Sequence, residues 1–74
     1  MSLQSSWREE KQSAWLYRRL SESEPDPEKQ RLFLALAETA EVQAGIWAGQ
    51  LSDQGREIPS FRPSLRARAV AALA

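Results

Sequence analysis

The 74-residue sequence contains neither cysteine nor histidine. The lack of cysteine excludes disulfides, thiolate nucleophiles and cysteine-ligated zinc or iron–sulfur sites, and the lack of histidine removes the commonest metal ligand and general base at neutral pH. Carboxylates, hydroxyls, Lys, Arg and Tyr17 remain for chemistry. Most catalysis at neutral pH thus loses its usual groups, and the kind of enzyme that these residues favour is one with a metal held by carboxylates.

Long apolar runs and an excess of one charge are also absent. The longest apolar tract, Leu32–Ala37, is far shorter than the ~20 residues that span a bilayer. The first fifteen residues carry four charges instead of the apolar core of a signal peptide. Ten basic and ten acidic residues give a net charge of zero, which does not indicate a nucleic-acid partner. We therefore expect one small cytoplasmic domain.

Two segments divide the chain, the Pro-Asp-Pro sequence at 25–27 and the stretch 55–63 with its two prolines. They predict three helices and an all-α fold, since β-branched residues are few. The second helix is predicted over about 27–54. Its start signals are an Asp26 N-cap followed by proline, and its stop signal is Gly55.

The first helix is predicted over about 6–22. Ser6 and Glu9 have the spacing of a capping box, in which each side chain satisfies a backbone amide of the first turn. A short third helix is predicted over about 63–73. Residues 1–55 would then form an antiparallel helical hairpin, and residues 56–74 a linker and a short C-terminal helix.

Both long helices carry more apolar surface than one neighbouring helix can cover. On the second helix the apolar arc exceeds 180°. It comprises Phe33, Leu36, Ala37, Ala40, Ala44, Trp47 and Leu51, extended by Leu32, Ala35, Val42 and Ile46. Self-association is the simplest remedy, so we predict a homodimer in which two hairpins form a four-helix bundle. The predicted interface aromatics are Trp7, Trp15, Tyr17 and Trp47.

Gly45 and Gly49 lie within the second predicted helix. Each costs roughly 1 kcal/mol relative to alanine unless close packing requires it. Two interpretations are open. The pair could be a small-residue packing motif like those of membrane helices, or it could accommodate a bulky neighbour such as Trp15.

Two further patterns carry a resemblance: E-x-x-x-A-x-x-Y, which begins at Glu10, and Q-A-x-x-W, which begins at Gln43. Together with the Pro-Asp-Pro-Glu turn and the run Phe33–Glu38, they resemble the rubrerythrin-like branch of the ferritin-like superfamily. In particular, they resemble the small domain that precedes the membrane part of some bacterial vacuolar-iron-transporter-type proteins. The resemblance covers roughly residues 7–54 and implies an iron-associated accessory or sensing domain with a ferritin-like bundle.

The resemblance also implies where metal ligands would lie. Glu10 matches the ligand of the first helix, but Ala40 and Gln43 stand where the family has glutamate and histidine. A methyl group and a neutral amide cannot supply the charge that a di-iron site needs, so ferroxidase activity is not expected. An incomplete iron site of Glu10 and Glu41, with Gln43 nearby, stays open.

Each candidate ligand has a structural alternative. Glu10 could extend from the edge of an apolar stripe into solvent, and Glu38 and Glu41 could form a solvated face. Gln43 could belong to a polar layer across the dimer. On these alternatives the chain is a structural oligomerisation module without metal or catalysis.

The C-terminal segment 61–74 is basic and amphipathic, and residues 55–74 as a whole have a net charge of +3 (four basic, one acidic). In the family that the chain resembles, this region leads toward a membrane domain on its cytoplasmic side. The resemblance therefore implies contact with the inner face of a membrane or with a transporter domain, because anionic lipid attracts basic residues. The alternative is a third helix docked on the bundle.

Overall fold

The computed structural model describes residues 2–73 and contains three α-helices, α1 (Leu3–Ser23), α2 (Pro27–Asp53) and α3 (Leu65–Leu73). The predicted all-α class is confirmed for this part of the chain. Helices α1 and α2 form the predicted antiparallel hairpin, and α3 packs against α1 without touching α2. Met1, the first residue of the predicted segment 1–55, and Ala74, the last residue of the predicted segment 56–74, lie outside the described residues.

Helix α1 begins one turn earlier than the predicted start at Ser6. The Ser2 hydroxyl accepts a hydrogen bond from the Ser5 amide at 3.0 Å and caps the helix. The Ser6 amide already donates to the Ser2 carbonyl at 3.1 Å, so Ser6 lies inside the first turn. The prediction was wrong because Ser2 is an equally good cap, and the longer helix lets Leu3 pack against the core.

The predicted start of α2 is confirmed. The Asp26 carboxylate accepts from the Glu28 amide at 3.3 Å, and Pro27 is the first helical residue. The turn before it is closed by the buried Ser21, whose hydroxyl donates to the Gln30 carbonyl at 3.1 Å. This bond joins the end of α1 to the first turns of α2 and sets the register of the hairpin.

The stop signal at Gly55 is also confirmed. Gly55 has φ +70°, a conformation that glycine adopts without steric cost. Its amide donates to the Ser52 carbonyl at 2.9 Å, and the Arg56 amide donates to the Leu51 carbonyl at 3.0 Å. These two bonds form a Schellman motif, which satisfies carbonyls that the helix end would leave unpaired.

The segment after α2 returns to α1. Phe61 meets Trp7 edge to face, with ring centroids 6.4 Å apart. The Ser64 amide donates to the Gln12 side chain at 3.4 Å, while the Ser64 hydroxyl accepts from the Ala67 amide at 3.1 Å. Ser64 therefore caps α3, which begins slightly later than the predicted residue 63.

The middle of the contact between α1 and α2 is lined by alanine, with three residues from α2 and one from α1. These four alanines are at most 5% exposed, and the only large buried apolar side chains among the described residues are Trp7 and Leu51. The four are Ala14, Ala37, Ala40 and Ala44. Small side chains allow two helices to approach closely, but they bury little apolar area.

The alanine contact predicts sensitivity to added volume. We expect Ala37→Leu, at a site with 0% exposure, to lower the free energy of unfolding by about 1–3 kcal/mol because the helices would have to separate. Ala72→Leu is the matched control, since Ala72 is an exposed alanine of α3. Urea unfolding followed by circular dichroism measures both. Equal stability of the two variants would show that the helices are not closely packed at Ala37.

Candidate interaction surface

The three predicted metal ligands do not all lie on one face of the hairpin. Glu41 and Gln43 point about 200° apart around α2, because successive helical residues are separated by 100°. Gln43 is exposed, and Glu10 is half-buried on α1. No group of three or more acidic side chains among residues 2–73 is placed to hold a metal ion. Iron binding therefore stays a prediction.

Glu41 is engaged by a lysine of the neighbouring helix. The Lys11 ammonium donates to both carboxylate oxygens of Glu41 at 3.2 Å. About a third of each side chain is exposed (29% and 35%), so water screens much of the attraction. The pair joins α1 to α2 near the middle of the hairpin, and a cation at Glu41 would compete with this ammonium for the carboxylate oxygens.

Two of the predicted interface aromatics are part of the chain's own core. Trp7 is 5% exposed and clusters with Ala44 and Leu51, and Trp47 packs against this cluster while remaining half-buried. Trp7 therefore offers little surface to a second molecule. Phe61 covers it from the segment that follows α2.

The other two predicted interface aromatics lie further along α1. Tyr17 stacks on Phe33 of α2, with ring centroids 6.4 Å apart and an angle of 21° between the planes. The Arg19 guanidinium lies 5.9 Å from the centre of the Trp15 ring. Both rings are half-buried, so they retain exposed surface beside their contacts within the chain.

A second apolar stripe runs along α2 on the side away from α1. Its positions alternate in steps of three and four, as in one side of a coiled coil. We call this stripe the outer seam: Leu32, Ala35, Thr39, Val42, Ile46 and Gly49. It lies about 160° around the helix from the alanine face. It contains no charged residue and extends for roughly 25 Å at 1.5 Å per residue.

The large side chains of the outer seam are exposed to solvent. Leu32 is 56% exposed, Val42 64% and Ile46 48%. Sequence reasoning treated these residues as an extension of one broad stripe. The structure divides the stripe into an alanine face against α1 and the uncovered outer seam. The steps of three and four between the seam residues are the sequence pattern that could have predicted the seam.

The glycines of α2 have no packing role among the described residues. A Cβ atom added to Gly45 or Gly49 would meet no atom within 4 Å. The interpretation that they accommodate Trp15 is therefore wrong, because α1 packs on another side of the helix. Gly49 lies in the outer seam and Gly45 lies beside it.

Comparisons with protein-family models, curated proteins and solved structures find no match to this chain. The resemblance to rubrerythrin-like domains accordingly stays a prediction. Within residues 2–73, no helix combines the length and the apolar character that crossing a bilayer requires.

The Lys11–Glu41 pair should contribute little to stability. We expect a double-mutant cycle with Lys11→Met and Glu41→Gln to give a coupling free energy below about 1 kcal/mol, and less at high salt, because both groups are partly solvated. Urea unfolding of the four proteins measures it. A coupling of several kcal/mol would mean that the pair is effectively shielded from water.

Gly45→Ala should stabilise the folded chain. The added methyl group meets no neighbour, and alanine has the higher helix propensity, so the gain should be about 0.5–1 kcal/mol. Thermal unfolding checks this, with Gly55→Ala as the control that should destabilise because its φ is positive. Destabilisation by Gly45→Ala would reveal a close contact at this glycine.

Proposed function

We propose that the chain is a helical assembly module, in which the outer seam of α2 packs against the outer seam of a second copy. The pairing joins two hairpins into a four-helix bundle. The observation that supports it is an uncharged apolar seam on the side of α2 that neither α1 nor α3 covers. A single exposed leucine is ordinary on a protein surface, but an ordered stripe of apolar residues is typical of an interface.

The thin core of the hairpin gives association an energetic reason. Only two large apolar side chains among the described residues, Trp7 and Leu51, are buried, so a single chain gains limited hydrophobic stabilisation from its core. Pairing of two seams would complete the burial of leucine, valine and isoleucine side chains that are about half exposed in the single chain, so each would gain roughly half of the ~1.5–3 kcal/mol that full burial contributes. Association would therefore add stability that the isolated hairpin lacks.

A second copy fits this surface on charge grounds. The chain has a formal net charge of zero, so two copies do not repel one another at long range. The seam itself carries no charge that would be buried without a partner. A two-fold contact between identical seams also closes on itself and stops at the dimer.

The iron-associated role implied by the resemblance is a separate matter. Its candidate carboxylate Glu41 is paired with Lys11 on the α1 side of the helix, whereas assembly uses the outer seam. Assembly as proposed requires no metal.

A charge placed in the outer seam should abolish assembly. We expect the unchanged chain to have twice its monomer mass of 8.4 kDa in light scattering, and Ile46→Glu to have the monomer mass because its carboxylate would be buried in the pair. Circular dichroism checks that the variant stays helical.

Leu34→Glu is the matched control for this experiment. Leu34 is a leucine of α2 with 44% exposure, comparable to Ile46, but it lies outside the seam. We expect this variant to remain a dimer. A monomeric unchanged chain, or equal loss of the dimer in both variants, would contradict the proposal.

A further inference from the structure

We infer that the two α2 helices pair antiparallel in one register, in which Leu32 of each copy packs against Gly49 of the other. This inference rests on the proposed assembly and specifies its geometry. The seam alternates in steps of three and four, so its residues occupy the a and d positions of a coiled coil, and in an antiparallel pair each a position faces a d position of the other helix. With Leu32 opposite Gly49, any two facing residues have numbers that add to 81.

Side-chain size supports this register. It places Leu32 opposite Gly49, Ile46 opposite Ala35, and Val42 opposite Thr39. Two of these layers combine a large side chain with a small one, and the third combines two of similar size. Facing positions that alternate in this way fill space evenly without gaps or overlap.

The register also gives Gly49 a role that the single chain does not provide. Nothing within 4 Å requires glycine there, although glycine costs roughly 1 kcal/mol in a helix relative to alanine. Opposite Leu32 of a second copy, the missing side chain leaves room for the leucine.

Charge does not distinguish the two orientations. Glu28 and Asp53 continue the spacing of the seam at its two ends, and their numbers also add to 81, so an antiparallel pair places these carboxylates in the same end layers. A parallel pair would place each of them beside its equivalent in the other copy, so like charges meet at both ends in either case.

A parallel pair would lack the matches of side-chain size. Each residue would face itself, so Leu32 would meet Leu32 while Gly49 met Gly49, giving a crowded layer and an empty one. The same seam therefore discriminates between the two orientations.

Cysteine cross-linking measures the orientation, and the natural chain has no cysteine to interfere. The variants are Leu32→Cys and Gly49→Cys, oxidised separately and as an equimolar mixture. In the proposed register, equivalent positions are about 25 Å apart, whereas a disulfide needs Cα atoms about 4.4–6.8 Å apart. We expect the mixture to form a cross-linked dimer and neither variant alone to do so.

The outcomes separate the orientation from assembly itself. If the reduced variants and the unchanged chain are all monomeric by light scattering, the proposed assembly fails. If they are dimeric and each variant links to itself, the helices pair parallel and the inferred register is wrong. Dimers that link in neither experiment would mean that Leu32 and Gly49 do not meet across the pair, so the inferred register is wrong.

An exchange of side-chain size provides a second test without disulfides. Gly49→Leu should weaken association by at least about tenfold, because two leucines would then compete for one layer. Adding Leu32→Ala to the same chain should restore most of the loss. In a parallel pair, Gly49→Leu would fill an empty layer and strengthen association, which would overturn the inference.

Discussion

The close contact of α1 with α2 through alanine is the constraint on which the other features of this chain depend. Ala14 and Ala37 are almost completely buried, and they lie at the same level of the hairpin because Ser21 meets Gln30 at one end and Lys11 meets Glu41 nearer the middle. Small side chains at this level bring the helices together and leave no room for bulky ones between them. The larger apolar residues of α2 therefore lie at other levels of the contact, as Phe33 does, or on another side of the helix.

The position of α3 determines which surface stays uncovered. Phe61 packs on Trp7, and Ser64 bonds to Gln12, so the segment after α2 returns to α1. Helix α3 then covers α1 and leaves the far side of α2 exposed. The outer seam is thus exposed for two reasons: α1 covers only the alanine side of α2, and the tail packs on α1. Assembly would cover this exposed surface.

Local signals predicted the ends of α2 because caps act within a few residues. Asp26 and Gly55 determine the start and the stop through hydrogen bonds that need no tertiary contact. The start of α1 was missed because Ser2 and Ser6 are both good caps, and the choice between them depends on what Leu3 packs against. Sequence alone cannot make that choice, since the partner of Leu3 is remote in the chain.

The candidate surface was only partly predictable for a related reason. The apolar arc of α2 exceeds half a turn, so composition indicates that something beyond α1 should cover it, but not which residues face which neighbour. That division depends on side-chain volume at the contact, where alanine packs against α1 while Val42 and Ile46 stay exposed. The prediction of the metal ligands depended on a resemblance to a family and not on the packing of this chain. Within one chain, Glu41 is paired with Lys11 and Gln43 is exposed to solvent.

Urea unfolding of the unchanged chain at several protein concentrations tests the central claim most directly. If folding and assembly are coupled through the outer seam, the unfolding midpoint rises with protein concentration by mass action. We predict a clear rise over about a hundredfold range of concentration, together with a folded mass of twice 8.4 kDa. A midpoint that stays constant over that range, with a mass of 8.4 kDa throughout, would contradict it and leave the hairpin as a monomer with an exposed seam.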